Sequence, residues 1–471
     1  MTMKRYTTIA LAVATAVAAG CKDNPVANPI DAPTVDALSG ALTPTSLRQL
    51  IVGALAQDRA TWNGVASAIE AGIFARDVYR VDASEPRYVT ETLGGNPDPG
   101  SFAGSGAFAG YYTALRAENN LLKALVTAST SQFTTAQITA TSGFVRTMKA
   151  YEYWRIIEMH DTVGAPIQSD VPTEMTDVRC REAVLSYIVA LLDSANADFT
   201  AAGAATVLPV ILPTGFSAFG RDYNKVSNLI LYNRAWRGKV NFYRGLNRKT
   251  PQAALFPSVI TDLTTALGAG PGAVPASQFG IGVWYNFVAG GTENTANTIA
   301  DSKIGLNPLV GDSVQPGDTR GTKIVSRATL AGNGISTSIT YTGALATSAN
   351  QNAPMPMLRD EELVLLRAQA YIETSDLADA QSDINSVRTH YGLLPVVLTS
   401  KSQAIDAVLY EKRYSLLFEG AHRLVDLREY GRLNNNYLRK ELPNDPFNAA
   451  LPIPRAELDA RGLIVNPACT P

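Results

Sequence analysis

The chain has 471 residues, 46% of them hydrophobic and 17% charged, with a formal net charge of −2. That balance excludes a basic nucleic-acid binder and a polyanion mimic, while the length supports a large core. Beyond the N-terminus, no apolar run reaches the ~18 residues of a membrane-spanning helix, so a lipid is the one membrane anchor in view.

Residues 1–20 read as a lipoprotein signal peptide. Lys4 and Arg5 form a basic start, and Ile9 to Ala19 is an apolar stretch too short to span a bilayer. It ends in Val17-Ala-Ala-Gly-Cys21, where small residues directly precede a cysteine. That pattern fits a lipobox, with Cys21 as the lipid attachment point. The plainer alternative is an ordinary secretory signal followed by a chance cysteine. Residues 21–44, rich in Pro, Ala, Asp and Thr, read as a flexible tether, and residues 45–471 as one domain. Outside the cytoplasm, Cys180 and Cys469 either pair, stapling the C-terminus to the body, or remain separate buried thiols.

In chain order, residues 46–80 read as helical, with Leu47, Leu50, Ile51, Ala54 and Leu55 at three- and four-residue steps. Gly94 to Gly110 is a glycine-rich loop, and Tyr111 to Leu125 a helix. Phe144, Met148, Tyr151, Trp154 and Ile157 line one face of a helix over 144–160, which Gly164 and Pro166 stop. Further helices are expected over 182–199 and 226–246. Over 250–352 helical periodicity fades, which predicts a loop-rich lobe with short strands. Helices return at Met357. One carries Leu358, Leu363, Leu366, Ala370 and Tyr371; the next carries Leu377, Ala380, Ile384, Val387 and Tyr391. Glu373 to Asp376 supplies a stop and a new N-cap. The pair spans about one tetratricopeptide unit of ~34 residues, without a regular repeat. The fold class is mainly α: a degenerate tetratricopeptide-like scaffold carrying the loop-rich lobe.

The run Tyr410 to Gly431 threads Glu411, Arg413, Glu419, Arg423, Asp426 and Arg428 between Leu416, Leu417, Phe418, Leu424, Val425 and Leu427. Ionisable groups are seldom buried unless paired, so these six are expected to form an internally paired scaffold. Their order, E-x-R, then E-G, an Arg, D-L and a further Arg, resembles the SusD/RagB family signature. The spacing departs from the family's by one residue, because Ala421 and His422 both separate Gly420 from Arg423. Tyr112 to Asn120, Asp318-Thr-Arg320 and Leu451 to Leu458 resemble other elements of that family in the same order.

The resemblance implies a SusD-like domain with 357–471 as its C-terminal helical signature region. It also implies an outer-membrane, surface-exposed lipoprotein that captures a glycan or other oligomeric nutrient. The partner would be a TonB-dependent outer-membrane β-barrel (SusC-like), over which the lipoprotein acts as a lid without catalysis. A peptide ligand, a surface-anchored glycoside hydrolase and a purely structural lipoprotein are the alternatives.

The residues themselves carry no catalytic, metal or cofactor motif. His160, His390 and His422 have no metal-ligand spacing, and no nucleophile elbow or phosphate loop is present. Asp360-Glu361-Glu362 is read as a helix start, where carboxylates meet the positive pole, rather than as a hydrolytic pair. Buried carboxyl groups with perturbed titration in a cleft would instead favour the hydrolase. Flat aromatic rings beside amides suit the apolar faces and polar edges of sugars. Trp284, Tyr285, Asn286 and Phe287 offer that mixture, with Trp62 and Tyr88 as further ligand candidates, whereas Trp154 and Trp236 read as core.

Overall fold

Apolar side chains at three- and four-residue steps build long helices, because that spacing lines one helix face toward the core. The computed structural model describes residues 42–63, 66–102, 108–288 and 295–471. Cys21, the signal segment and nearly all of the tether segment lie outside them. Within them the protein is mainly α-helical, with short strands in two-stranded antiparallel sheets. The strands are β1 (Val78–Arg80), β2 (Ala165–Pro166), β3 (Val178–Arg179), β4 (Gly282–Tyr285), β5 (Ile304–Leu306), β6 (Ile324–Gly332), β7 (Ile335–Tyr341) and β8 (Met355–Arg359). They pair β1 with β5, β2 with β3, β4 with β8, and β6 with β7.

The first long helix, α1, spans Pro44–Trp62. Thr43 caps it in a reciprocal box with Ser46, and Pro44 occupies a first-turn position where no N–H is needed. The helical reading over 46–80 holds for α1, which stops at Trp62, and for helical turns over Ala66–Phe74. A left-handed residue, Arg76 at φ 62°, then turns the chain into β1. Next come α2 (Ala109–Val126), α3 (Thr135–His160), α4 (Arg181–Ala202) and α5 (Val226–Gly245). Trp154 and Trp236 are buried in the core of this stack.

A sixth long helix, α6 (Phe256–Leu267), lies inside the stretch expected to be loop-rich. Phe256, Val259, Leu263, Ala266 and Leu267 are buried along it. Pro257, which reads as a breaker, sits in the first turn where proline is tolerated, and left-handed Gly268 ends the helix. The series closes with α7 (Asp360–Glu373), α8 (Leu377–His390), α9 (Lys401–Ser415) and α10 (His422–Glu429). From α1 to α10 each of these helices packs on its successor, the arrangement of stacked helical repeats. Leu358, expected in a helix, belongs to β8 and pairs with Val283 of β4. As expected from the sequence, Asp376 caps α8 by accepting from the Asp379 N–H.

The run from 410 to 431 is two helices, broken where Phe418 (φ 66°) and Gly420 (φ 129°) turn the chain. The six residues singled out from the sequence do not pair with one another, although Asp426 stays within the run by pairing with Lys412. Arg413 and Arg423 both meet Asp77, at 2.7 and 2.9 Å. Glu411 receives Arg320 and Arg388, each at 2.6 Å, and Glu419 receives Arg359 at 2.7 Å. Asp426 pairs with Lys412 at 2.6 Å, and Arg428 with Asp161 at 3.3 Å. The signature therefore ties the C-terminal helices to the segments before β1, after α3 and before β6, to the end of β8 and to α8. At the far end, Cys180 and Cys469 form a disulfide. Thr470 exchanges backbone hydrogen bonds with Cys180 and Val178, both 2.7 Å.

Candidate ligand-binding site

Three segments distant in sequence enclose a cavity of about 610 Å³. That is within the ~300–1,000 Å³ usual for small-ligand sites. The N-terminal half of α1 contributes Thr45, Arg48, Gln49, Val52 and Gly53, with Asp58 and Arg59 deeper along it. Pro213, Gly215 and Phe216 form a second wall, and β4 with its exit supplies Trp284, Tyr285 and Asn286.

The β4–β8 pair is bulged: Val283 faces Leu358, but Trp284 faces Pro356, leaving Met357 as the extra residue. A bulge re-aims side chains and tolerates proline in a ladder. Both Trp284 and Met357 line the cavity. The Trp284 ring is partly exposed; Phe219 stacks on it at 4.8 Å with 20° between planes, and its Nε1–H donates to the Gly280 carbonyl at 3.2 Å. The wall at 213–216 approaches β4 so closely that a Cβ on Gly215 would lie 1.8 Å from the Trp284 carbonyl oxygen.

Tyr285 forms the floor. Its hydroxyl donates to both carboxylate oxygens of Asp58, at 2.8 and 3.0 Å, and meets the Tyr151 hydroxyl of α3. Burial pushes the Asp58 carboxyl up to about 7, against the pull of Tyr285, Arg155, Glu152 and Arg59. Glu152 is in hydrogen-bond contact with Asp58, and burial, then Asp58 and Glu118, drive it well above the ordinary glutamate range. Arg59 donates to the Asn286 carbonyl at 3.1 Å, fixing the chain as it leaves β4.

Of the ligand candidates read from the sequence, Trp284, Tyr285 and Asn286 converge on this cavity. Phe287 and Trp62 do not: both are buried, and Trp62 packs its ring 5.1 Å from Tyr285 and 6.3 Å from Phe287. Alternation along the strand turns Phe287 inward with Tyr285. Tyr88 is also buried elsewhere, under Arg80 and against Phe102. The α1 contribution escaped sequence reading. Its apolar periodicity marked the core face, whereas Arg48, Gln49 and Val52 lie off that face without a motif.

A serial helical scaffold with small antiparallel sheets, and no closed sheet among the described residues, defines a SusD-like fold. Residues 321–452 match the model of the SusD family. Across the fold, the chain is similar to a SusD superfamily protein of Bacteroides thetaiotaomicron, with 15% identity, a TM-score of 0.67, and coverage of 90% of this chain and 100% of that one. A SusD superfamily protein of Bacteroides fragilis gives 13% identity, a TM-score of 0.65, and 92% and 100% coverage. A laminarin-binding SusD-like protein gives 16% identity, a TM-score of 0.63, and 89% and 98% coverage. No curated protein sequence matches the chain. The C-terminal signature region thus matches the SusD family model, and the chain as a whole shares the fold of SusD superfamily proteins.

Proposed function

We propose that this protein is a non-catalytic, surface-exposed outer-membrane lipoprotein. It captures a glycan or other oligomeric nutrient in the cavity beside Trp284 and delivers it to a TonB-dependent β-barrel, over which it acts as a lid. The observation that carries this reading is the partly exposed indole of Trp284, braced by Phe219 in a cavity that Asn286 and Gln49 also line. A braced ring offers a sugar's C–H face a flat apolar surface at little entropic cost, and amides reach its hydroxyls. The laminarin-binding relative lends support by its ligand class. Cys21 would carry the lipid, and the ligand would be an oligosaccharide before a peptide, which no cavity residue specifically favours.

One observation bears on the hydrolase alternative. Asp58 lines the cavity with its carboxyl raised to about 7, as a catalytic acid requires. Glycoside hydrolysis, however, needs two carboxyl groups flanking the sugar, roughly 5–10 Å apart. Asp58 and Glu152 touch each other, and Asp58 is 1% exposed with both oxygens receiving Tyr285. No sugar fits between them, so the pair reads as the floor of a binding site.

Tagging the full-length protein in its host, extracting outer membranes in mild detergent and identifying co-purifying proteins tests delivery. A stoichiometric transport barrel is expected. Recovery of the lipoprotein alone, where a known barrel–lipoprotein pair survives the same extraction, contradicts it.

A further inference from the structure

Among the described residues of the cavity the available charge is positive, although the chain as a whole carries −2. Among the described residues lining it, the ionisable groups are Arg48, Asp58 and Arg59. Asp58 faces inward at 1% exposure, with both oxygens occupied by the Tyr285 hydroxyl, and so offers a ligand no acceptor. Arg59 is 9% exposed and holds the Asn286 carbonyl, so it is a fixed guanidinium behind the wall. Arg48 is different. It is exposed on the first turns of α1 and makes no ion pair or hydrogen bond among the described residues. Arginine elsewhere among the described residues is engaged: Arg320, Arg359, Arg367 and Arg388 each hold a carboxylate, and Arg116, Arg327 and Arg455 donate to backbone carbonyls. A guanidinium with no hydrogen-bond partner among the described residues, at the mouth of a cavity whose Asp58 carboxyl is buried, is a donor fork for an anionic group.

We infer that the cavity selects an acidic glycan, one whose sugars carry carboxylate groups, with a sugar ring against Trp284 and a carboxylate on Arg48. This rests on the proposed capture of a glycan at this site and adds its chemical class. Gln49, one residue on and also lining the cavity, supplies an amide for neighbouring hydroxyls. Because Arg48 is exposed, its contact is screened by salt, so the acid preference weakens as ionic strength rises. The positive field at the mouth also speeds encounter with a polyanionic chain.

The experiment compares binding of oligogalacturonate, a neutral gluco-oligosaccharide of equal length and an oligoglutamate peptide to the detergent-solubilised full-length protein. It uses wild type, Arg48→Gln, Arg48→Lys and Trp284→Ala, at low and high salt. Oligogalacturonate is expected to bind most tightly and to lose affinity in high salt. Arg48→Gln should weaken it about three- to fivefold, the scale of one exposed charged contact. Arg48→Lys should restore most of that loss, and the neutral ligand should not respond to either change. Tighter binding of the neutral oligosaccharide, sensitive only to Trp284→Ala, overturns the acid class and leaves glycan capture standing. Preference for the peptide, or binding of no glycan, overturns both. An oligogalacturonate affinity unchanged in Arg48→Gln removes Arg48 as the selecting group and overturns the inference.

Discussion

The Tyr285 hydroxyl donates to Asp58 across 227 positions of sequence, at 2.8 and 3.0 Å to its two oxygens. This contact joins the loop-rich lobe to α1 and sets the floor of the cavity. Tyr151 of α3 meets the same hydroxyl, so the lobe, the first helix and the scaffold share one buried polar node. A satisfied buried network fixes geometry, since any displacement strands a polar group in low dielectric. Trp284, one residue before Tyr285, inherits its position from that node.

The node titrates. Burial holds the Asp58 carboxyl at about 7, above the usual 3.8. The folded chain therefore binds this proton more tightly than the unfolded chain. The stability it contributes is full below about pH 4 and is lost as pH rises through about 7. Asp58→Asn removes that loss. Chemical denaturation across pH should show wild type and variant converging near pH 4, and the variant ahead by on the order of 2–4 kcal/mol near pH 8. Parallel curves would show that Asp58 ionises freely.

Gly215 is required by contact rather than by turn geometry. Its Cβ would meet the Trp284 carbonyl oxygen at 1.8 Å, so Gly215→Ala must push the 213–216 wall off β4. The expected cost is about 1–3 kcal/mol, as for other overpacked sites. Ligand affinity should fall with it, since both neighbours line the cavity. Thermal unfolding and a binding titration on the same variant check this; unchanged values in both would refute the close approach.

Asp77 accepts both Arg413 and Arg423. Removing one partner of a buried pair leaves charge unpaired, at about 3–5 kcal/mol. Asp77→Ala should therefore be severely destabilising. Asp406, 62% exposed opposite Arg432, should cost under about 1 kcal/mol when changed to Ala. Equal effects on urea midpoints would contradict the assignment of Asp77 as a tie between the two ends of the chain.

Cys469→Ser should lower stability by about 2–4 kcal/mol, because the Cys180 bond closes a very long loop in the unfolded chain. Reductant should reproduce the loss in wild type and do nothing further to the variant. Insensitivity of the wild type to reductant would contradict a bonded pair.

The long helices were legible because Leu, Val, Tyr and Trp recur along them at helical steps. α6 was hidden, with a proline that its first turn accommodates, and so was the first half of α9 from Lys401. The signature residues were legible as buried, but not their partners: Asp77 and Arg388 carry no local mark that they face Arg413 and Glu411. For the cavity, Trp284 and Asn286 stood out by chemistry in a loop-rich stretch. Trp62 had the same chemistry and proved to be core, because its ring packs against Tyr285. Gly215 had no signal, since it matters by a contact 69 positions away with Trp284, and Arg48 carried no motif to set it apart from other surface arginines.

The most direct measurement is glycan affinity by isothermal titration for wild type, Trp284→Ala and the buried control Tyr88→Phe. Loss of binding in Trp284→Ala by about tenfold or more, the scale of a removed aromatic anchor, with Tyr88→Phe unchanged, is the result this account predicts. Wild-type affinity in Trp284→Ala would contradict it and move the ligand away from this cavity.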